Sequence, residues 1–470
     1  MEEDKKYTAI IGLETHVELK TASKMFCSCD ADYFGKTPNT HVCPVCLGLP
    51  GALPVPNKQA IEWTILLGLA LHCSINKESK FDRKNYFYPD LPKGYQISQY
   101  DQPFCVNGYL EIPQTSNSKP SDSEGKQQKA DSKSIRIRRV HLEEDTGKLL
   151  HTSGNQSRID FNRSGVPLVE IVTEPDIRSS DEAVAFMKQL HAIVRSLGVS
   201  DADMEKGSMR IEPNISVLLA NGSRNARATA ESIIEEKDLP KYKVEVKNIN
   251  SFRFAKRSID FEVERHIKLL EQGETPKQET RGWNESKKAT VSQRSKEEAA
   301  DYRYFPEPDI PPVKFTDEEI EKIQRHLPML PTQVEEQLVV EYKVRKEYAK
   351  LIAGDSKLYS FFIKSLNYEI IKSMNSDTLA GLIINKKVDI TKVTPEIFIR
   401  KLASELQSKV SDEGEITKWI DEAFIQLPQA VSDYKSGRQQ AIGVIIGKVM
   451  QLSKGKADAK QVQEIILKRI

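Results

Sequence analysis

Three features of the 470-residue sequence predict an α+β fold. Strand-like alternation runs through roughly the first 315 residues. Helical patterns interrupt it without a regular strand–helix–strand repeat. From Asp317 onward the pattern is helical nearly to the end. The first strand is Thr8 to Leu19, where Leu13, Val17 and Leu19 share one face and Glu14, His16 and Glu18 the other. Arg136 to Glu144, Pro167 to Glu174, Met209 to Leu219 and Lys243 to Asn248 are further strand-like runs. Among them, Asn57 to Leu71 carries Ile61, Ile65, Leu66 and Leu69 at helical spacing. Ser180 to Leu197 carries Val184, Met187, Leu190, Ile193 and Val194 behind a Ser-x-x-Glu capping box at Ser179 to Glu182.

Two stretches punctuate this pattern. Gln114 to Ser134 is almost wholly polar, cannot bury a face, and reads as a surface loop between two strands that tolerates shortening. In the proline-rich run Phe305 to Pro312 the prolines remove donors and stiffen φ, so it reads as an extended element or linker. Beyond it, Ile320, Ile323 and Leu327, and later Leu402, Leu406 and Val410, keep the helical period. The expected division is 1–315, 316–400 and 401–470.

Composition narrows the function. Hydrophobic residues make up 39% and charged residues 29%, ordinary for a globular protein, and the formal net charge is +1. Any polyanion site must therefore come from local clustering. Residues 435–470 supply such a cluster: eight basic residues against Asp458 and Glu464 give a local +6. Phosphate binding and a solvated helix face both fit that patch. The acidic start Met1-Glu2-Glu3-Asp4 argues against a signal peptide, and no run of 18 apolar residues exists. A cytoplasmic protein without a membrane span is expected.

Four of the six cysteines crowd into 20 residues. Cys27-x-Cys29 and Cys43-x-x-Cys46 have the paired spacing that lets two turns close a tetrahedral thiolate shell, and a structural zinc is expected there. The rival reading is a redox Cys-Pro-Val-Cys, which lacks a thioredoxin-like surround. Cys73 and Cys105 read as core residues. Carboxylates meanwhile sit on strand-like segments: Glu14 and His16 opposite an apolar face, Glu143, Glu144 and Asp145 at the end of a strand, and Glu170 inside the apolar run Val166 to Val172. Each alone reads as an ordinary sheet-face charge. Converging, they would hold a hard cation such as magnesium carrying nucleotide phosphates. The sequence has neither a P-loop nor a Gly-x-Ser-x-Gly elbow. Phe81 to Asp90 sets four aromatics beside Arg83 and Lys84. It is either a packed aromatic turn or a pocket wall with a lysine reaching inward.

Longer motifs carry a resemblance that covers essentially the whole chain. Ile11-Gly12-Leu13-Glu14-Thr15-His16-Val17-Glu18-Leu19, Asp82-Arg83-Lys84-Asn85-Tyr86-Phe87-Tyr88-Pro89-Asp90 and Lys93-Gly94-Tyr95-Gln96-Ile97-Ser98-Gln99 come first. His141-Leu142-Glu143-Glu144-Asp145-Thr146-Gly147-Lys148, Pro167-Leu168-Val169-Glu170-Ile171-Val172-Thr173-Glu174-Pro175-Asp176 and Asp301-Tyr302-Arg303-Tyr304-Phe305-Pro306-Glu307-Pro308-Asp309 follow in order. Together they resemble the B subunits of aspartyl/glutamyl-tRNA amidotransferases. The resemblance implies a cradle-shaped catalytic domain, a helical domain and a small helical tail associated with the body of the tRNA. It implies ATP-dependent phosphorylation of the side-chain carboxylate of Glu-tRNA(Gln) or Asp-tRNA(Asn), then attack by ammonia. The partners it implies are a glutaminase A subunit that releases the ammonia and a small C subunit that wraps the pair.

The family's magnesium and nucleotide site maps onto Glu14, His16, Glu143, Glu144 and Glu170, with His16, Glu144 and Glu170 on the ion. Lys84 matches its lysine near the ammonia exit, and Lys93 a second pocket lysine. Glu212 stands where the family often has an aspartate. Only some members carry the four cysteines, which makes the zinc structural. A competing hypothesis of a different class keeps the basic tail and the zinc knuckles but makes the chain a tRNA-binding scaffold without catalysis of its own. Convergence of the carboxylates decides between the two.

Overall fold

In a computed structural model, the described residues are 7–114, 132–151, 156–219, 236–295, 302–372, 374–386, 388–407, 413–453 and 455–470. The strands in chain order are β1 (Tyr7–Glu18), β2 (Ser74–Ile75), β3 (Glu78–Ser79), β4 (Asp82–Asn85), β5 (Tyr95–Ser98), β6 (Cys105–Pro113), β7 (Ser132–Glu144) and β8 (Lys148–His151). They continue with β9 (Ser157–Asp160), β10 (Pro167–Thr173), β11 (Met209–Leu219), β12 (Val244–Lys247), β13 (Glu279–Asn284), β14 (Ala289–Ser295), β15 (Phe305–Pro306) and β16 (Val313–Lys314). Nine form one sheet in the order β14-β13-β12-β11-β1-β10-β7-β6-β2. Neighbours run antiparallel except β12 and β13, which are parallel. The polar stretch 114–134 falls between β6 and β7. Its residues 115–131 lie outside the described set, and β7 already begins at Ser132.

Alternation gives the sheet its two faces. Leu13, Val17, Val140, Leu142, Val169, Ile171, Ile211 and Ile215 are all buried. They join one core with helices α1 (Lys58–Ala70), α2 (Ser180–Leu197) and α3 (Phe252–Glu271). Cys73 and Cys105 belong to that core, as expected of them. Asn57 caps α1 by accepting from the Ala60 N–H. At α2, Ser179 accepts from the Glu182 N–H, but the expected reciprocal box does not close. The Glu182 carboxylate instead accepts from the backbone N–H of Arg178 at 2.8 Å and from Lys133 Nζ at 2.7 Å.

The proline-rich segment is extended and belongs to the first of two units, residues 1–334 with 354–356. Phe305–Pro306 pairs with β4 at the edge of a three-stranded sheet, where a proline breaks no ladder. Behind it the buried Glu307 takes a two-pronged grip from Arg83, at 2.6 and 2.8 Å. The second unit, 335–353 with 357–470, is helical throughout its described elements. The helices Glu413–Gln426, Pro428–Lys435, Ala441–Leu452 and Ala459–Arg469 enclose an apolar cluster of their own, with Ile416, Ile420, Ile445, Val449, Val462 and Ile466 at its centre. Residues 400 and 401 fall inside the helix Pro395–Gln407.

Candidate functional site

Strand register decides which polar side chains meet. Glu170 on β10 stands opposite His16 on β1 and opposite His141 on β7. Glu14 stands opposite Glu212 on β11, and Asn214 opposite Glu245 on β12. Alternation turns all of them to the face away from the apolar core. Two groups result. The ligand atoms of His16, Glu143 and Glu170 all lie within 4.8 Å of one another, and so do those of Glu14, Glu212 and Glu245.

In the first group, His16 Nε2 is 3.5 Å from Glu170 Oε2 and 3.9 Å from Glu143 Oε1. His141 Nε2 is 3.2 Å from Glu170 and 3.8 Å from Glu143 Oε2. Ser98 Oγ on β5 donates to Glu143 at 2.9 Å. An unpaired charge here would cost several kcal/mol, so the groups hold one another's ionisation. Burial alone would neutralise His16, but Glu170, joined by Glu212 and Glu143, raises its pKa to about 9. Burial likewise opposes the Glu170 carboxylate, yet His141 and His16 hold it well below the usual range. In the second group, burial and then the Glu170 charge push Glu14 up, while Asn214 Nδ2 donates to it at 2.9 Å. Lys247 Nζ balances Glu212 at 2.8 Å and Glu245 at 3.5 Å.

Lys84 on β4 faces the first group, its Nζ 5.2 Å from the centre of the Tyr302 ring. Burial disfavours its ammonium, but Glu143 and Glu170 hold its pKa above the ordinary lysine range. Of the two readings of Phe81 to Asp90, the geometry matches the inward-reaching lysine. The aromatic turn splits, with Phe81 buried and Phe87 fully out in solvent.

Glu144 goes elsewhere. It adjoins Glu143 on one strand, so alternation sends it to the other side. There its Oε1 meets Lys93 Nζ at 2.6 Å and accepts the Ile97 N–H at 3.0 Å. With Lys93 it lines a small cavity beside Cys27, Cys46 and Gly165. The residue standing with His16 and Glu170 is therefore Glu143, where Glu144 was expected. Glu18, third in the polar row of β1, is buried against Asp145 and Arg210. Burial and Asp145 raise its pKa to about 8, and Tyr33 donates to it.

The four cysteines come together. Cys27, Cys29, Cys43 and Cys46 place their sulfurs within 4.8 Å of one another, all as free thiols. Cys46 Sγ accepts from the Cys43 N–H at 3.1 Å. A donated thiol proton from Cys27 leads the effects that lower Cys46 to about 4, while Cys29 is pushed up to about 11 chiefly by burial. Soft thiolates of this number and spacing fit zinc.

Sequence reasoning missed His141, Ser98, Glu245 and Lys247 as site residues. His141 and Glu245 carried a usable signal: each lies on a predicted strand, in phase with the polar face. Lys247 shared that signal, two residues from Glu245 on the same strand, and Ser98 carried none.

Fold and site together define an α+β protein whose central sheet bears an acidic, cation-competent face, followed by a helical region. Residues 9–321 match the family model described as the GatB/GatE catalytic domain, and residues 362–470 the GatB domain. The chain is 44% identical to the B subunit of the aspartyl/glutamyl-tRNA(Asn/Gln) amidotransferase of Thermotoga maritima strain MSB8, over 98% of this chain and 99% of that protein. It is 41% identical to the corresponding B subunit from Thermoanaerobacter pseudethanolicus, over 98% of each. The chain belongs to the GatB/GatE family, as a B subunit of the tRNA-dependent amidotransferases. Among the described residues no helix is long and apolar enough to cross a membrane.

Proposed function

We propose that this chain activates the side-chain carboxylate of Glu-tRNA(Gln) or Asp-tRNA(Asn) with ATP and passes it to ammonia. The observation that carries this reading is the meeting of His16, Glu143 and Glu170 from three strands on one sheet face, with Lys84 beside them. A carboxylate is a poor acyl donor because its leaving group would be an oxide, and transfer of the ATP γ-phosphoryl group to it supplies a good one.

His16, Glu143 and Glu170 would hold magnesium. The two carboxylates suit a hard cation that keeps some of its waters, and His16 Nε2, which faces both of them, could join once the ion displaces its proton. Bound there, the ion would neutralise nucleotide phosphates. The remaining roles belong to the chain. Ser98 and His141 orient the two carboxylates. Lys84, held as an ammonium, offsets negative charge developing on the substrate and does not act as a base. Glu14 and Glu212, with Lys247, border the first group on the same sheet face. Glu144 and Lys93 neutralise each other and shape the wall between the sheet and the cysteine centre. Ammonia would come from a glutaminase A subunit, with a small C subunit completing the complex.

The test is ADP formation by the assembled complex with aminoacyl-tRNA and ATP but no glutamine. Tightly tRNA-dependent ADP release is expected. Absence of ADP formation with every subunit present would leave the chain as a scaffold.

The cysteine centre would hold one structural zinc through Cys27, Cys29, Cys43 and Cys46. Stoichiometric zinc in the purified protein, lost on Cys43→Ser together with thermal stability, is the expected result. A fully stable, metal-free protein would disprove it.

A further inference from the structure

Lys24 is completely buried, and its ammonium rests against the cysteine centre. Its Nζ donates to the carbonyl of His41 at 2.7 Å and lies 3.4 Å from the carbonyl of Phe161 and 3.7 Å from Cys46 Sγ. Among the described residues no carboxylate pairs with it, and the Cys46 sulfur is the one group it touches that can carry a negative charge. A buried ammonium with only carbonyls around it lacks its counter-ion. A divalent ion inside four thiolates has the opposite need, because the shell keeps negative charge that the metal does not cancel.

The whole side chain is enclosed, with Gly165 close against its stem. Gly165 passes beside it with φ +85°, and a Cβ there would lie 3.3 Å from Cys46 Cβ and 3.5 Å from Lys24 Cδ. The lysine cannot swing out to water as a surface lysine would.

We infer that Lys24 is the counter-cation of the four-thiolate centre: its buried charge retains the metal by offsetting the excess negative charge of the thiolate shell. The inference rests on the zinc reading above. Lys24 is a positioning residue that touches a ligand, not the ion.

The experiment uses the full chain assembled with its partner subunits. Zinc content is measured first, then the rate at which zinc passes to excess chelator at fixed pH. Lys24→Met keeps the volume and removes charge and donor; Lys24→Gln keeps a donor without charge. Both are expected to release zinc at least about 10-fold faster than the parent, the scale on which groups supporting metal ligands act. Lys24→Arg keeps the charge in a bulkier frame. It is expected to release zinc near the parent rate even if it melts earlier, which keeps the test open should the neutral variants not fold. Parent-like retention by Lys24→Gln would show that hydrogen bonding suffices and overturn the inference. So would parent-like retention by Lys24→Met, or fast release from folded Lys24→Arg. A parent protein free of zinc would overturn the zinc reading and this inference with it, whereas zinc-loaded parent with unaltered variants overturns this inference alone.

Discussion

Glu170→Gln is expected to cut tRNA-dependent amidation by at least about 10-fold, with the magnesium dependence moved to higher concentration. The substitution keeps shape and loses charge. Glu170 is the hub of its group, with one imidazole at 3.5 Å and another at 3.2 Å. An amide in its place is a weaker ligand and takes from both His16 and His141 the carboxylate charge they face. The rate would be measured in the assembled complex across a magnesium series, with zinc content and tRNA binding as controls for folding. Glu144→Gln is the informative companion. Its carboxylate pairs with Lys93 away from the group, so its magnesium dependence should stay near that of the parent. An unchanged rate and magnesium dependence in Glu170→Gln would place the ion elsewhere.

Removing residues 413–470 is expected to weaken tRNA binding and flatten its salt dependence. Six net positive charges gather in residues 435–470 of a chain with only +1 overall, so the remainder is net acidic and has little reason to attract a polyanion. Lys435, Lys456, Lys460 and Lys468 are exposed, while Arg469 is held by Asp421 at 2.8 Å and is a poorer candidate. Each lost phosphate contact should take about one unit from the slope of log affinity against log salt. The cut respects the helix Pro395–Gln407 and removes four helices with their own apolar cluster, so the rest should keep its fold. Binding would be measured over a salt series in complexes with and without the tail, with glutamine hydrolysis in the absence of tRNA as an unaffected reference. Equal binding at every salt concentration would make the basic patch a solvated helix face.

Strand existence was legible because a sheet covered on one side writes its pattern plainly. Met209 to Leu219 is a strand from end to end, and Pro167 to Glu174 differs by one residue. The polar face of β1 was legible for the same reason. What could not be read was cross-strand register, since no spacing along the chain says that Glu170 stands opposite His141 or Asn214 opposite Glu245. That Glu143 and Glu144 part company went unread for a related reason. Two adjacent acids look equivalent in a motif, and only the phase of β7 separates them. That phase was available from the buried Val140 and Leu142. Lys24 left no signal, because a buried lysine and a solvated one look alike in sequence.

The Arg83–Glu307 fork ties the stretch that follows Tyr302 and Tyr304 to the strand that carries Lys84. Register has a harsher effect on the sheet itself. Along β10, Glu170 is flanked by Val169 and Ile171, both fully buried. Deleting one residue within that strand would carry a carboxylate into the core and a branched hydrocarbon onto the polar face. Core and chemistry are thus two readings of one alignment, and neither can drift alone. Changes of length in this chain should survive between strands and be purged within them, so the lineage can explore new loops far more freely than new positions for its acids.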